Sequence, residues 1–263
     1  MASSTTSTDA AAVRRAFAEQ GHVRLPGLIG ADRARELVDH LARLAPDEAR
    51  QNPLSRGPMA FYSRVWPRSA PLRELLSDPA LVAAVSAVLG GDLWVRWDQA
   101  VDKGPGAGVF PWHQDNEYSK LVSEHVQAWV ALTRSTPEGG GLELVPRRLS
   151  ERLPHRLDEG HVVYEQPLPG ETIAITAEPG DVLLFSSYTL HRTTPNTSDR
   201  HRWAYVAEYL PTSDTDPYLD PPYLLVARRG RPISQTTTRR PGRWRPRNRR
   251  RYAGMDDVPW ERR

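Results

Sequence analysis

Three residues have the types and the spacing of a metal site: His113, Asp115 and His191. The first two stand two positions apart, so on a β-strand the imidazole and the carboxylate would point to the same face. His191 follows the apolar run VLLF, at a predicted strand end that would hold it rigidly. Two imidazoles and one carboxylate occupy one face of an octahedral metal and leave other positions open, which suits non-haem Fe(II) chemistry.

Arg202 adds a fourth residue to this set, eleven positions after His191 in an apolar strand pattern. A buried arginine is costly unless it meets an anion, and its planar guanidinium fits a carboxylate through two hydrogen bonds. We therefore expect Arg202 to bind the distal carboxylate of a metal-bound 2-oxo acid. A lone histidine or an H-x-D triplet is weak evidence, because such patterns arise in many chains. The prediction depends on the four residues together.

The part of the chain that precedes the motif is predicted to be mainly helical. Apolar spacing and capping residues predict helices from Asp9 to about Gln20, from Ala31 or Asp32 through the run that ends at residue 45, and from Asp78 to Val88. Residues 46–70 contain four prolines and are typical of an irregular loop, with a short strand at 60–66.

From Asp92 onward the hydrophobic period changes from helical to two, which predicts strands. Together with a short early strand, the predicted strands are 22–25, 93–101, 126–133, 142–145, 172–176, 182–185 and 202–210. Helices followed by many short strands favour a mainly β fold with flanking α-helices, a double-sheet jelly roll of the cupin-like kind.

The composition excludes several classes of protein. There is no cysteine, which rules out disulfide scaffolds, thiolate zinc sites and cysteine nucleophiles, and favours a cytoplasmic protein. The first residues lack the basic and apolar regions of a secretory signal, and no apolar run is long enough to cross a membrane. We expect no membrane partner.

Charge is distributed unevenly along the chain. Residues 228–251 hold 11 arginines and no acidic residue, so subtracting them from the overall +3 leaves −8 for the remainder. We expect one domain over residues 1–227, with a helical part at 9–90 and a β core at about 92–210, and an Arg-rich, flexible tail at 228–263. The arginines could attract the phosphates of a nucleic acid, but a solvated tail is favoured, because few aromatic residues are available to stack on bases.

Several motifs resemble the phytanoyl-CoA dioxygenase family: WHQD (112–115), AWVAL (128–132), GGGLELVPR (139–147) and HRTTPNTSDRHR (191–202). The resemblance covers roughly residues 93–210. Members of that family are Fe(II)- and 2-oxoglutarate-dependent oxygenases built on a double-stranded β-helix. The resemblance implies iron as cofactor, 2-oxoglutarate and O2 as co-substrates, and release of succinate and CO2.

The resemblance also assigns roles by position. His113, Asp115 and His191 match the iron ligands, and Arg202 and Thr193 match the contacts to the distal carboxylate of 2-oxoglutarate. Trp129 matches a tryptophan that lines that pocket. Gln99, on the preceding strand, is a further candidate contact, but the loop spacing there differs from the family pattern and a polar surface position is equally consistent with it. Because halogenating relatives carry a small residue in place of Asp115, the carboxylate argues against halogenation.

The resemblance leaves the substrate open, since the family acts on acyl thioesters, amino acids and many secondary-metabolite scaffolds. We expect hydroxylation of a small molecule in secondary metabolism. Desaturation, epimerisation and cyclisation use the same iron site and stay open. The oligomeric state is also open. Residues expected to face the substrate are Glu117, Tyr118, Trp97 and, in the 60–66 segment, Tyr62, Arg64 and Trp66.

Three other functions stay open at this point. One is a non-catalytic double-sheet binding protein with a vestigial metal site, although such a protein would have no reason to keep all four residues. Another is an oxygenase that the basic tail directs to nucleic acid. A zinc hydrolase with the same ligands is the third, but it would not need Arg202 or Trp129.

Overall fold

The computed structural model describes residues 9–44, 52, 54–119, 121, 123–158, 160–214, 216, 219 and 223–238. Its helices lie mostly before the strands that form the β core, in the order predicted. They are α1 (Ala10–Gln20), α2 (Ala31–Ala42), α3 (Ala70–Leu76), α4 (Pro79–Leu89) and the short α5 (Asp115–Ser119).

Antiparallel strands form a large sheet, a small sheet and a separate hairpin. The strands are β1 (His22–Leu25), β2 (Met59–Ser63), β3 (Leu93–Lys103), β4 (Phe110–His113), β5 (Val126–Ala131), β6 (Leu142–Leu144), β7 (Arg156–Asp158), β8 (His161–Val163), β9 (Ile173–Ala174), β10 (Val182–Ser186), β11 (His191–Thr193), β12 (Arg202–Pro211), β13 (Tyr223–Arg228) and β14 (Arg231–Thr238). The large sheet has the order β1-β10-β5-β12-β3-β13-β14, and β2 also pairs with β3. The small sheet has the order β4-β11-β6-β9, and β7 pairs with β8.

Two buried layers explain the apolar pattern of the central strands. Val182 and Leu184 of β10 pack in the layer between the large sheet and the helices. Leu183 and Phe185 point the other way, into the layer that also holds Leu142 and other side chains of the small sheet. Because both faces of β10 are buried, its sequence is apolar throughout rather than alternating. The predicted double-sheet, mainly β fold is confirmed.

Local signals fix the ends of the N-terminal helices. The Asp9 side chain accepts a hydrogen bond from the backbone N–H of Ala11, and α1 ends at Gly21, whose φ of 75° suits a residue without a side chain. Asp78 caps α4 in the same way, with Pro79 in its first turn. These boundaries agree with the prediction from sequence.

A buried carboxylate attaches the segment after β2 to the outer face of the large sheet. Asp98 Oδ2 accepts hydrogen bonds from the backbone N–H groups of Val65 and Trp66, each at 3.0 Å, and from the Tyr205 hydroxyl at 2.7 Å. Burial raises the pKa of Asp98 to about 6, and these three hydrogen bonds oppose that rise. These hydrogen bonds fix one face of β3, and the opposite face of this strand lines the site described below.

The structure departs from the predicted elements in several places. The 60–66 strand is shorter, since β2 ends at Ser63 and a 3-10 turn follows at Trp66–Arg68. Helix α3 and the β7–β8 hairpin were not predicted, because their short runs carry no clear period.

The domain boundary predicted between residues 227 and 228 also needs correction. Strand β14 pairs with β13, and β13 pairs with β3, so residues 228–238 extend the large sheet. The strand pattern of residues 228–238 was overlooked because the segment was grouped with the arginine-rich residues that follow it. Residues 239–263, the rest of the predicted tail, lie outside the described residues, as do residues 1–8.

We predict that Asp98→Ala lowers the free energy of unfolding by about 2–4 kcal/mol, because it leaves buried donors without an acceptor. Urea denaturation of both proteins measures the difference. Asp158→Ala, which removes an exposed carboxylate from β7, serves as the matched control and should change stability by less than about 0.5 kcal/mol. Equal effects of the two substitutions would contradict the role given to Asp98.

Candidate metal centre and co-substrate pocket

The structure brings His113, Asp115 and His191 together as a compact group of ligands. One ligand atom from each residue lies within 4.8 Å of the others. Nε2 of His113 is 3.6 Å from Asp115 Oδ1, and Nε2 of His191 is 3.7 Å from Asp115 Oδ2. These separations leave room for one ion bound by all three residues.

Strand pairing positions the two histidines. His113 is the last residue of β4 and lies opposite His191, the first residue of β11, with ring centroids 4.1 Å apart. The prediction that Asp115 shares a strand face with His113 is wrong in its geometry. The strand ends at His113, and Asp115 begins helix α5. The carboxylate reaches the site because the chain turns at the residue between them.

Gln114 holds that turn in place. Its side chain is fully buried, and Nε2 donates to the backbone carbonyl groups of Tyr188 at 2.6 Å and Glu151 at 3.1 Å. Its Oε1 accepts from the backbone N–H of Leu153 at 2.7 Å. The Gln114 amide therefore fixes the backbone between the metal ligands His113 and Asp115, because both its nitrogen and its oxygen are hydrogen-bonded.

Backbone carbonyl groups select the tautomer of each histidine. Nδ1 of His113 lies 2.8 Å from the carbonyl oxygen of Pro111, and Nδ1 of His191 lies 2.9 Å from that of Thr189. Because a carbonyl oxygen only accepts, each Nδ1 carries the proton, and each Nε2 keeps a lone pair that a metal ion between the two rings and Asp115 would accept.

The charge states also suit a divalent cation. Burial and the neighbouring His113 lower the pKa of His191 to about 4, so its ring is neutral at pH 7. Burial alone would raise the pKa of Asp115, but the two histidines hold it below its usual value. Two histidines and one carboxylate fit the facial ligand set of non-haem Fe(II).

A cavity extends from the metal ligands in two directions between the sheets. Its lining includes the predicted co-substrate residues Arg202, Thr193, Trp129 and Gln99. The other lining residues, besides the three ligands, are Leu54, Met59, Phe61, Ser63, Trp97, Val101, Phe110, Tyr118, Leu142, Phe185, Val206 and Glu208.

Arg202 is a buried cation at one end of this cavity. Its Nε and Nη2 donate to the carbonyl oxygen of Gly140 at 3.1 and 2.9 Å. Burial lowers its pKa to about 10, so it keeps its charge at pH 7. Within the described part of the chain no carboxylate forms an ion pair with Arg202, which leaves its charge available to an anion.

Lys103 is a functional candidate that the sequence analysis missed. Its side chain is fully buried, and Nζ donates to Thr193 Oγ1 at 2.7 Å and to the Thr194 carbonyl oxygen at 2.5 Å. Because the ammonium group only donates, the Thr193 hydroxyl accepts, and its own proton is free to point into the cavity. Burial and the nearby Arg202 lower the pKa of Lys103 to about 7.

Two signals in the sequence point to Lys103 in retrospect. It follows Gln99 by four positions on β3, so strand alternation puts both on the cavity face. Gly140 provides the space, since a Cβ there would lie 2.7 Å from Lys103 Cδ. The glycine run after β5 is therefore a packing requirement of the pocket as well as a turn.

The predicted substrate residues divide into two groups. Trp97 and Tyr118 line the cavity. Glu117 does not line it and instead pairs with Arg152 at 3.4 Å.

Strand β2 presents the opposite face from the one predicted. Met59, Phe61 and Ser63 line the cavity, whereas Tyr62 packs in the outer core, where it stacks on Trp203 at 5.7 Å. Trp66 belongs to the same core, and Arg64 adopts a φ of 50° beyond the strand end. Strand alternation places every second residue on the same face, and the prediction assigned the wrong set of alternate residues to the cavity.

The comparisons with known proteins agree with this geometry. Residues 17–204 match the phytanoyl-CoA dioxygenase (PhyH) family, so the chain belongs to that family. It is 28% identical over 209 residues to dioxygenase lolE1 of Epichloe uncinata, covering 73% of this chain and 79% of that one. It is 26% identical over 210 residues to methylphosphonate hydroxylase of Gimesia maris, covering 75% and 79%.

A solved structure shares the fold. The non-haem α-ketoglutarate-dependent carbocyclase SnoK from nogalamycin biosynthesis superposes with a TM-score of 0.68 at 22% identity, covering 95% of this chain and 93% of that one. The protein is accordingly an Fe(II)- and 2-oxoglutarate-dependent dioxygenase, with O2 as the second co-substrate. None of the helices in the described part of the chain has the length and apolar character needed to cross a bilayer.

We predict that Lys103→Met weakens binding of 2-oxoglutarate about tenfold, because it removes a charge and the donor that orients Thr193. Pyruvate lacks the distal carboxylate, so its affinity should change less than about twofold. Calorimetry on the Mn(II)-loaded protein without oxygen measures both.

The control for this prediction is Arg134→Met, which removes an exposed cation paired with Glu178 outside the cavity. It should leave both affinities unchanged. Equal losses for the two acids in Lys103→Met would show a purely structural lysine, and an unchanged affinity for 2-oxoglutarate would exclude any role in binding it.

Proposed function

We propose that the protein hydroxylates a small-molecule substrate at the expense of 2-oxoglutarate, with release of succinate and CO2, in secondary metabolism. The observation that carries this proposal is the arrangement of one cavity. The ligand set His113, Asp115 and His191 faces it, Arg202 occupies one end, and a largely apolar wall surrounds the rest.

The three ligands would hold iron and leave open positions that face the cavity. When bound, iron and 2-oxoglutarate together activate O2 for oxidation of a C–H bond. The protein supplies positioning and exclusion of water. Trp129, Phe185 and Leu142 lie buried on the cavity wall, where they limit the access of water to the site.

We propose that Arg202 and Thr193 bind the distal carboxylate of 2-oxoglutarate, with Lys103 behind them. Two buried cations side by side are unfavourable alone, since each disfavours the charge of the other. A dianion placed between the metal and this pair would relieve that repulsion. Gln99 and Trp129, which line the same cavity, are proposed to flank the bound acid.

The remaining wall indicates a substrate with an apolar part. Leu54, Met59, Phe61, Phe110 and Tyr118 form one apolar cluster along the cavity, and the rings of Phe61 and Phe110 lie 5.4 Å apart. We propose Trp97 and Tyr118 as substrate contacts. Hydroxylation is the preferred outcome because one relative is named a hydroxylase, whereas the structural neighbour named above is a carbocyclase.

The other functions considered receive less support. A binding protein with a vestigial site would not need a complete ligand set, fixed tautomers and an Arg202 that forms no ion pair with a carboxylate in the described part of the chain. Delivery to nucleic acid would depend mainly on residues 239–263, which lie outside the described residues. A cytoplasmic location stays a prediction from the cysteine-free composition.

The first experiment adds Fe(II) and 2-oxoglutarate to the metal-free protein under anaerobic conditions. We expect the weak visible charge-transfer band of the chelate, and its loss in His191→Ala, because that variant lacks one ligand. His40→Ala is the matched control, since His40 lies on α2 and bonds to Ser69 away from the cavity. No band in folded native protein would overturn the proposed function.

A second prediction concerns turnover. In halide-free buffer, Asp115→Ala should lower the consumption of 2-oxoglutarate in the presence of O2 by more than about 100-fold, because the site loses its anionic ligand and loss of an outer-shell partner alone costs about 10–100-fold. Succinate formation measures the effect. Activity close to that of the native protein would contradict the assignment of Asp115 as a ligand.

A further inference from the structure

Two neutral polar side chains lie next to each other on the cavity wall formed by β2 and β3. Ser63 is the last residue of β2 and lies opposite Gln99 of β3, and both line the cavity. Cross-strand partners share a face, and their Cβ atoms lie about 5 Å apart. The next lining residues along the two strands, Phe61 and Val101, are apolar. Ser63 and Gln99 therefore form one polar patch on an otherwise apolar wall.

The patch lies away from the cations that are proposed to bind the co-substrate. Lys103 is opposite Arg202 in the pairing of β3 with β12, and Gln99 lies four residues from Lys103 on β3. At about 3.4 Å per residue this separation is roughly 14 Å along the strand. Ser63 is one strand further from β12 than Gln99. The patch therefore belongs to the part of the cavity that is left for the substrate.

Asn52 orients the hydroxyl group of Ser63. Asn52 Oδ1 accepts a hydrogen bond from the backbone N–H of Leu54 at 3.0 Å, so the Asn52 nitrogen faces Ser63, 2.8 Å from its oxygen. An amide nitrogen only donates, which makes Ser63 Oγ the acceptor. No described residue accepts the Ser63 proton, so the hydroxyl can donate to a group in the cavity.

Gln99 presents its amide to the same space. The side chain forms no hydrogen bond with another residue in the described part of the chain. The residue is half-buried and neither of its amide atoms is fully buried, so a molecule in the cavity can reach both. The amide offers a donor and an acceptor side by side, whichever way it is turned.

The row of the large sheet that holds this patch is uncharged. Its members are successive cross-strand partners that all line the cavity, namely Ser63, Gln99, Val206 and Trp129. In the next row, the carboxylate of Glu208 is already paired with Arg96, which forms a β-bulge in β3. An ionised group of a substrate would lose its hydration at the patch without an opposite charge in the row. The patch therefore suits a neutral polar group.

A carboxamide has the hydrogen-bonding pattern that complements this patch. Its carbonyl oxygen has two lone pairs, which can accept from the Ser63 hydroxyl and from a Gln99 N–H. Its own N–H can donate to the Gln99 carbonyl oxygen. An ester keeps the carbonyl oxygen but lacks the N–H, so it would make one hydrogen bond fewer and leave the Gln99 oxygen without a donor.

We propose that Ser63 and Gln99 form a subsite for an uncharged carboxamide group of the substrate. The apolar cluster that contains Leu54, Phe61 and Phe110 would hold the adjacent carbon skeleton. Gln99 would then lie between this group and the bound 2-oxo acid. This inference rests on the proposed function and names the substrate class as a neutral amide with an apolar body.

The test uses the full chain loaded anaerobically with Fe(II) and a saturating concentration of 2-oxoglutarate. Benzamide, methyl benzoate and benzoate serve as probes, because they share the benzoyl group and differ in what it carries. Titration of each probe follows the shift of the chelate band. We expect benzamide to bind about fivefold more tightly than methyl benzoate, the effect of one hydrogen bond, and benzoate to bind most weakly.

Two variants assign the preference to the two residues separately. Ser63→Ala should weaken benzamide and methyl benzoate alike, by about fivefold, because both carbonyl groups lose the same donor. Gln99→Leu should remove the preference for benzamide over methyl benzoate. This ratio is compared within one variant, so it is insensitive to a change in 2-oxoglutarate affinity. Ser77→Ala is the matched control, because the Ser77 hydroxyl donates to the Arg73 carbonyl oxygen outside the cavity.

The outcomes separate this inference from the proposed function. If the chelate band forms but native protein shows no preference for benzamide over the other two probes, or no response to it, the carboxamide subsite is excluded. The same follows if Ser63→Ala has no more effect than Ser77→Ala, or if Gln99→Leu keeps the preference. If the band itself fails to form, the proposed function falls, and this inference falls with it.

Discussion

The pairing of β4 with β11 is the interaction on which the rest of the structure depends. It sets His113 opposite His191, and it joins β4 to β11 at the edge of the small sheet. Asp115 then needs only the turn that Gln114 fixes. The outer helices and the buried Asp98 contact hold the large sheet rigid, so that the opposite wall of the cavity keeps its distance from the metal ligands.

Charge is the second constraint. The region between the sheets is mostly apolar, yet Arg202 and Lys103 are buried at one end of it and the carboxylates of Asp115 and Glu208 line the cavity. Each of these groups is expensive to bury without a partner. Arg202 forms no ion pair with a carboxylate of the described residues, which is typical of a site completed by a bound anion.

Much of this site could be predicted from the sequence, because its residues belong to fixed local patterns. The ligands and Arg202 follow from motif spacing, Thr193 follows only from the family resemblance, and the fold class follows from the change of hydrophobic period. Lys103 and Glu208 were missed because each is an ordinary charged residue until the strand register assigns it a face. The error at Tyr62 has the same origin: alternation is local, but the choice of face depends on partners far away in the chain.

The pairing of β12 with β3 passes from Trp97 directly to Val95, so Arg96 is an extra residue that forms a β-bulge. The bulge changes the phase of β3, because Trp97 lines the cavity whereas Val95, two positions before it, packs in the layer against the helices. A single-residue deletion in this part of β3 would shift which side chains face the cavity while the ligands on β4 and β11 stayed in place. In such a fold, new substrates are reached by small insertions and deletions as readily as by substitutions.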